Sequence, residues 1–214
     1  MIQAVIFDLD GVIIDTAHYH YIAWKRLASE FGITLTPAHN ELLKGVSRMR
    51  SLEIILSLGN IALSQEQKEL LAEKKNTWFV EYIESIRPEE IFPGVLDLIQ
   101  NLRKRKIKIG LASSSKNAPR VIELLGIARD FDTLIDGTMI NQTKPDPEIF
   151  LLAAHRLGVD PTHCLVFEDA EAGVEAARAA GMKCVGVGQP SQLGKADKVI
   201  AHTGDFNLND LNSL

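Results

Sequence analysis

Short runs of apolar residues alternate with segments of helical periodicity along most of this chain. Five apolar runs have the length of buried strands: 4–9, 107–113, 133–136, 164–169 and 184–188. Apolar residues recur every three to four positions in four further segments: 94–105, 117–126, 147–157 and 171–181. Strands that alternate with helices of this length predict βαβ units. The expected fold class is therefore α/β, with a Rossmann-like, mostly parallel sheet.

Residues 16–87 interrupt this alternation, because no convincing strand pattern occurs there. Helical periodicity covers three stretches instead: 16–31, 48–58 and 64–85. The return to the α/β pattern passes through RPEEIFPG (87–94), whose two prolines and glycine are typical of a hinge or linker. We therefore expect two domains, an α/β core and an inserted helical cap domain. The core is predicted to comprise 1–15 and 88–214, and the cap 16–87.

Composition and charge are those of an ordinary globular protein, with 46% hydrophobic and 24% charged residues among 214 and a net charge of −5. This balance gives no reason to expect nucleic acid or an anionic membrane as a partner. No stretch approaches the roughly 20 apolar residues of a membrane span, and the first apolar run is too short for a signal peptide. The two cysteines, Cys164 and Cys184, are expected to be reduced and buried. We expect a cytoplasmic monomer.

Two aspartates follow the first apolar run directly. Asp8 and Asp10 are two positions apart and so point to the same side of an extended chain. Gly11 allows the backbone to turn or to approach a ligand closely there. Taken alone, such a pair is equally consistent with a polar loop in which one aspartate caps the next helix.

Polar residues also follow the other predicted strands. The second run ends in SSSKN (113–117), the third is followed by TKPDP with Lys144, and the fourth ends in Glu168 and Asp169. Ligands bind at the carboxyl ends of the strands in an open parallel sheet. Carboxylates, hydroxyls and lysines are therefore expected in one crevice, which suits a hard cation such as Mg²⁺ beside an anion.

Four motifs at these strand ends resemble those of the haloacid dehalogenase-like phosphotransferases, in the order found in that family. They are DLDGV (8–12), Ser113, KPDP (144–147) and EDAEAG (168–173), and the resemblance covers the whole chain. In that family the first aspartate is the nucleophile and forms an aspartyl phosphate. The resemblance implies that Asp8 is the nucleophile, that Asp10 is the general acid and base, and that Ser113 and Lys144 bind the transferring phosphoryl group. It also implies Mg²⁺ held by Asp8, the backbone carbonyl of Asp10, Asp169 and the adjacent Glu168.

The cap segment is expected to decide whether the aspartyl phosphate is hydrolysed or passed to a sugar. Thr16, His20 and Trp24 are spaced at i, i+4 and i+8, which places them on one helix face. Trp24 is also consistent with a packing residue and His20 with a hydrogen-bonded structural histidine. The cationic turn LKGVSRMRS (43–51) is also consistent with a solvated loop. SSSKNAPR (113–120) places more donors at a helix start than Ser113 alone, which indicates a second anion.

Taken together, residues 8–24, 43–48 and 111–119 resemble the sugar-phosphate mutases of this family more closely than its phosphatases. This resemblance implies interconversion of β-D-glucose 1-phosphate and β-D-glucose 6-phosphate, with β-glucose 1,6-bisphosphate as intermediate and activator. The implied catalytic residues are Asp8, Asp10, Thr16, His20, Ser113 and Lys144. The implied substrate-binding residues are Trp24, Lys44, Gly45, Val46, Ser47, Arg48, Ser51, Lys75, Ser113, Ser114, Ser115, Lys116, Asn117 and Lys144.

Within that set, three kinds of role are implied. The phosphate that is not transferring is expected to contact Arg48, Ser115, Lys116 and Asn117. The sugar is expected to contact Trp24 and residues 44–47, while His20 and Lys75 couple cap closure to Asp10. Lys75 is also consistent with an exposed helix lysine, and Ser51 with a serine that bonds backbone.

Three other functions compete with this interpretation. A phosphatase of small sugar phosphates or phosphoglycolate would use the same Asp8 chemistry. A catalytically silent binding protein would be expected to have lost a nucleophile or metal ligand, yet Asp8, Asp10, Lys144 and Asp169 are all present. A nucleotide-binding Rossmann domain is suggested only by glycines near 186–188, which open no convincing helix.

Overall fold

A six-stranded parallel sheet forms the centre of the computed structural model, which describes residues 1–43 and 46–214. The strands are β1 (Ala4–Phe7), β2 (Lys108–Ala112), β3 (Thr133–Ile135), β4 (Cys164–Glu168), β5 (Lys183–Val187) and β6 (Lys198–Ile200). The helices are α1 (Ala17–Glu30), α2 (Pro37–Glu41), α3 (Arg48–Leu58), α4 (Gln65–Ile83), α5 (Val95–Lys104), α6 (Ala118–Leu124), α7 (Glu148–Leu157), α8 (Glu171–Ala179) and α9 (Pro190–Leu193). Short 3-10 helices lie at Pro88–Glu90, Ala128–Asp130, Pro161–His163, Thr203–Asp205 and Leu208–Asn212.

The strand order β3-β2-β1-β4-β5-β6 places β1 between β2 and β4. Phe7 at the end of β1 is paired with Phe167 of β4, and the N–H of Asp8 donates to the carbonyl of Phe167 over 2.9 Å. Because the chain runs outward in both directions from β1, the strand order reverses there. Such a switch point opens the crevice in which parallel sheets bind ligands.

Both faces of the sheet are covered, as expected for a parallel sheet. Side chains of β1 alternate between them, with Val5 and Phe7 in one hydrophobic cluster and Ala4 and Ile6 in the other. Helices α5 and α6 contribute to the first cluster, and α7 and α8 to the second. Cys164 and Cys184 are free and buried, as predicted.

Helices α1, α3 and α4 share a third hydrophobic cluster, separate from the two sheet cores. Its members include Trp24, Leu27, Leu52, Ile55 and Ala72. A core of its own is what an independent helical unit requires. This supports the predicted division into a core and a cap domain, which stays a prediction.

The predicted α/β class is confirmed, and each predicted strand and helix has its counterpart. Strand β6 and helices α2 and α9 were not predicted. These elements are three to five residues long, which is too short to display a periodicity in the sequence. Only their contacts with neighbouring segments of the chain identify them as regular structure. Among the described residues, no helix has both the length and the apolar character needed to cross a membrane.

Candidate active site

A fully buried lysine lies between two carboxylates at the ends of β1 and β4. Lys144 donates to Asp8 Oδ1 over 2.6 Å and to Glu168 Oε2 over 2.8 Å, and its side chain has no exposed surface. Burial by itself favours the neutral amine. The charges of Asp8 and Glu168 outweigh burial, however, and raise the pKa of Lys144 above its ordinary value. The lysine is therefore held as a cation against Asp8.

Asp10 lies beside this ion pair and contacts the end of β2. The hydroxyl of Ser113 donates to Asp10 Oδ2 over 3.3 Å and accepts the N–H of Ser115 over 3.1 Å. Burial and the neighbouring charge of Asp8 raise the pKa of Asp10 to about 7, although Lys144 and Ser113 act in the opposite direction. A carboxyl group with this pKa can both give and take a proton near neutral pH.

Three carboxylates could hold a metal ion at this end of the sheet. Asp8, Glu168 and Asp169 each offer an oxygen, and these oxygens lie within 4.8 Å of one another. Oxygen ligands of this kind suit Mg²⁺. Glu168 already accepts from Lys144 and from the N–H of Ala170, so it also anchors the lysine.

Two glycines make room for this acidic cluster. Gly11 has a φ of +77°, and a Cβ there would lie 2.2 Å from Asp169 Oδ2. A Cβ on Gly173 would lie 2.0 Å from the carboxyl carbon of Glu168. Any side chain at either position would displace a carboxylate, so the chain is shaped around the cluster. The three carboxylates, whose oxygens lie within 4.8 Å of one another, fit a divalent cation.

A cavity of about 600 Å³ connects this cluster with the helical cap. Asp8, Asp10 and Asp169 line it on the sheet side. The other predicted site residues in its wall are His20, Trp24, Val46, Ser47, Arg48, Ser51, Lys75, Ser114, Ser115, Lys116 and Asn117. A volume of this size is ordinary for a small-molecule site.

The cap places a histidine and a buried lysine in contact within this wall. Lys75 Nζ lies 2.6 Å from His20 Nδ1, and the His20 ring stacks on Phe79 at a centroid distance of 3.9 Å. Lys75 is only 1% exposed, so its interpretation as an exposed helix lysine is wrong. The ring of Trp24 lies 4.6 Å from Lys75 Nζ. Burial, Lys75 and Arg48 together hold the pKa of His20 well below its usual range.

A second group of donors meets at the boundary between cap and sheet. Arg48 Nη1 donates to Glu73 over 2.7 Å, and Arg48 Nη2 donates to Asn76 Oδ1 over 2.8 Å. The same Asn76 oxygen accepts from Asn117 Nδ2 over 2.8 Å. Residues from α3, α4 and the start of α6 therefore form one network beside the cavity.

Some predicted site residues lie behind the wall of the cavity or outside the described residues. Thr16, Ser113, Lys144 and Glu168 are fully buried, and all but Thr16 contact the aspartates or one another. Thr16 Oγ1 is buried and makes no hydrogen bond within the described part of the chain.

Ser47 lines the cavity, but its hydroxyl also caps α3 by accepting the N–H of Arg50. Trp24 both lines the cavity and packs in the cap cluster. The predictions for Lys44 and Gly45 lie outside the described residues.

Sequence reasoning missed Glu73 and Asn76, the two α4 residues that hold Arg48. They are polar residues in a long polar helix, and no motif distinguishes them from their neighbours. A spacing of three residues places both on one face, but nothing in the sequence indicates that this face meets Arg48.

Comparison with known proteins identifies the class that this fold and site define. The family model of the haloacid dehalogenase-like hydrolases matches residues 2–181. The chain therefore belongs to the haloacid dehalogenase-like hydrolase family, as its four motifs predicted.

Individual relatives refine this assignment. The chain is 46% identical to β-phosphoglucomutase of Bacillus subtilis, over 96% of its own length and 92% of that protein. It is 34% identical to a phosphorylated carbohydrates phosphatase of Thermotoga maritima, over 91% and 89% of the two chains. The crystal structure of β-phosphoglucomutase from Clostridium difficile superposes with a TM-score of 0.96 at 45% identity, covering 100% of this chain and 96% of that one.

Proposed function

We propose that this enzyme interconverts β-D-glucose 1-phosphate and β-D-glucose 6-phosphate through β-glucose 1,6-bisphosphate and an aspartyl phosphate on Asp8. The observation that carries the proposal is that cationic and hydrogen-bond-donating side chains lie in two separate groups at one cavity, one beside the aspartates that line it and one in its wall at the cap boundary. Lys144 and Ser113 adjoin the aspartates, whereas Arg48 and Asn117 meet at the cap boundary. Two phosphates on one sugar require two such groups. The mutases among the relatives are consistent with it.

Asp8 is the proposed nucleophile. Its carboxylate attacks phosphorus, the new oxygen–phosphorus bond forms, and the bond to the donor's sugar oxygen breaks. Lys144 and Ser113 are proposed to bind the phosphoryl group as it transfers, since charge-assisted hydrogen bonds of this kind stabilise the charge that develops. Mg²⁺ held by Asp8, Asp169 and Glu168 would supply positive charge between the nucleophile and the phosphate.

Asp10 is the proposed general acid and base. With a pKa of about 7 it can donate a proton to the departing sugar oxygen, and as a carboxylate it can take one from the hydroxyl that accepts the phosphoryl group next. Ser113 donates to its carboxylate and so fixes its orientation. His20 and Lys75 are proposed to link the cap to this proton transfer.

The sugar bisphosphate must turn end for end between the two half-reactions. Its non-transferring phosphate is proposed to bind Arg48, Ser115, Lys116 and Asn117, so that either phosphate can occupy either group in turn. A cap that closes over the cavity keeps water from the aspartyl phosphate while it waits for the sugar. Opening about the connections at 14–17 and 84–90 would allow reorientation.

A sugar-phosphate phosphatase is the second candidate, and the Thermotoga maritima relative favours it. It would use Asp8, Asp10 and Lys144 in the same first step. The aspartyl phosphate would then be hydrolysed by water. This reaction needs no bisphosphate, and it needs no second phosphate-binding group of residues at Arg48.

A coupled measurement separates the two. The purified protein is mixed with Mg²⁺, β-glucose 1-phosphate and a trace of β-glucose 1,6-bisphosphate, and glucose 6-phosphate and free phosphate are followed together. The α anomer serves as the control substrate. We expect glucose 6-phosphate from the β anomer alone, dependent on the bisphosphate. Free phosphate without any isomerised sugar phosphate would overturn the mutase proposal in favour of the phosphatase.

Asp10→Asn tests the proton-transfer role in the same assay. Asparagine has the same shape and can still accept from Ser113, but it cannot donate or take the proton. We expect turnover to fall by about 10²–10⁴-fold, the usual contribution of general acid–base catalysis. Turnover within a few-fold of the parent enzyme would show that another group transfers the proton.

A further inference from the structure

One side-chain oxygen joins two residues from opposite sides of the cavity. Asn76 Oδ1 accepts from Arg48 Nη2 and from Asn117 Nδ2, each over 2.8 Å. Arg48 begins α3 and Asn76 lies within α4, both in the helical cap, whereas Asn117 precedes α6 beside the sheet. Arg48 and Asn117 line the cavity, and both donate to Asn76. Asn76 therefore fixes the relative positions of two donors that belong to different parts of the fold.

The number of N–H groups shows that this contact leaves capacity for a ligand. Arg48 has five N–H donors, and its bonds to Glu73 and Asn76 use two of them. Asn117 has two side-chain N–H donors, and its bond to Asn76 uses one. Both residues can therefore bind an anion in the cavity while Asn76 continues to hold them.

Asn76 is suited to this role because its acceptor is neutral. A carboxylate in its place would hold the same donors but would repel an incoming phosphate. Glu73 does carry such a charge, but it is 71% exposed, where water screens it. A long arginine side chain loses conformational freedom when it binds, so a contact that orders it beforehand lowers the entropic cost of binding.

We propose that Asn76 is a positioning residue that assembles Arg48 and Asn117 into a binding site for the non-transferring phosphate. This identification of the ligand rests on the proposed mutase function. The assembly itself does not, because it follows from the shared Asn76 oxygen. Since the contact joins cap and core, the site is complete only when both are in place.

The test compares Asn76→Ala and the isosteric Asn76→Leu with Thr77→Ala, an exposed neighbour on the same helix. For each variant, kcat/KM is measured with β-glucose 1-phosphate, whose phosphate would bind the non-transferring site, and with acetyl phosphate, whose phosphoryl group would occupy only the transfer site beside Asp8. We expect the Asn76 variants to lose about tenfold more with the sugar phosphate than with acetyl phosphate, since a hydrogen bond to a charged group is worth about that factor. In Thr77→Ala, kcat/KM should decrease only slightly, and by the same factor with both substrates. Equal losses with both substrates in the Asn76 variants would overturn the proposal.

A background lacking both donors shows whether Asn76 acts through them. In the double variant Arg48→Ala/Asn117→Ala, the Asn76 side chain has lost both donors that it would position, and Asn76→Ala is added to this background. Its further effect should be within about twofold, because residues of one network are not additive. A full additional tenfold loss would show that Asn76 acts by another route.

Ligand binding separates this proposal from the proposed function. If the enzyme shows no mutase activity, calorimetric titration with glucose 6-phosphate still reports on the anion site. We then expect Asn76→Ala to raise the Kd by about tenfold. A Kd unchanged from the parent protein would overturn the positioning role, whichever reaction the enzyme catalyses.

Discussion

The side chain of Lys144 illustrates how strongly single residues are constrained in this site. It is fully buried, contacts Asp8 and Glu168, and carries the positive charge between them. Lys144→Ala would leave two buried carboxylates without their cation. Removing one partner of a buried ion pair costs about 3–5 kcal/mol of unfolding free energy. We expect a loss of this size in urea unfolding, together with loss of turnover.

Lys183→Ala is the matched control, because Lys183 also pairs with a carboxylate, that of Asp197, but is 44% exposed. Its loss should stay within about 1 kcal/mol, as for other surface ion pairs. Similar losses in the two variants would show that the Lys144 network is not the stabilising feature described here.

His20 should make stability depend on pH. Its pKa in the folded protein lies well below the ordinary 6.5, since burial and the nearby cations Lys75 and Arg48 oppose its protonation. Below about pH 6.5 the unfolded chain takes up a proton that the folded protein does not. The free energy of unfolding should therefore decrease as the pH falls below about 6.5, by at most about 1.4 kcal/mol per pH unit from this group. Above that pH the penalty vanishes, because His20 is neutral in both the folded and the unfolded protein.

His20→Gln removes this titration while its amide oxygen can still accept from Lys75. We expect the decrease in Tm between pH 7 and pH 5 to be smaller in His20→Gln than in the parent protein. His155→Gln, at an exposed histidine, should keep the parent's decrease. Equal decreases in all three proteins would assign the acid sensitivity to other groups.

Between elements, an ion pair joins the end of α4 to α6. Arg120 Nε and Nη2 donate to the two carboxylate oxygens of Glu84 over 3.0 and 2.8 Å, while Nη1 donates to Glu123 on its own helix. Asn76 and Asn117 connect the same two segments nearer the cavity. The pair with Glu84 therefore favours the arrangement in which the proposed cap covers the site.

Glu84→Gln and Glu123→Gln separate this effect from the general charge of the surface. Each removes one carboxylate from Arg120, but only Glu84 lies across the boundary. We expect Glu84→Gln to raise the KM for β-glucose 1-phosphate about two- to threefold at low ionic strength, as for an exposed pair. In 0.5 M salt the difference should shrink, since screening acts over only a few ångströms there. The same KM in both variants would contradict a role in closure.

For the whole molecule, metal binding should be linked to folding, because the carboxylates of Asp8, Glu168 and Asp169 meet only in the folded chain. Mg²⁺ at about 100 times its Kd should add about 2.7 kcal/mol to the free energy of unfolding, and EDTA should remove that gain. Asp169→Asn should lose most of the Mg²⁺-dependent rise in Tm. Asp97→Asn, on the exposed side of α5, should keep it. An undiminished rise in Asp169→Asn would place the metal elsewhere.

The regular elements were largely predictable because their patterns are local. β1 is a continuous apolar run, and β2 and β4 are apolar except for Lys108 at the start of one and Glu168 at the end of the other. The helices around them are long enough to display their periodicity. β6 escaped prediction because three half-buried residues form a strand only through their pairing with β5. The candidate site followed from the same patterns. Because parallel strands end at one edge of the sheet, the positions of Asp8, Lys144 and Asp169 along the chain predict that they lie together.

By itself, the sequence determined the fold class, the family and the acidic cluster. The fold class follows from local hydrophobic periodicity, and the family and the cluster follow from residues next to strand ends. Only the tertiary structure decided the cap side of the cavity. Whether Lys75 is exposed or buried depends on how α4 is rotated against α1, and its polar sequence leaves that rotation open. Likewise, Arg48, Asn76 and Asn117 come from three segments far apart in the chain. Their meeting at one oxygen depends on the packing of α3 and α4 against the sheet domain, which no local pattern records.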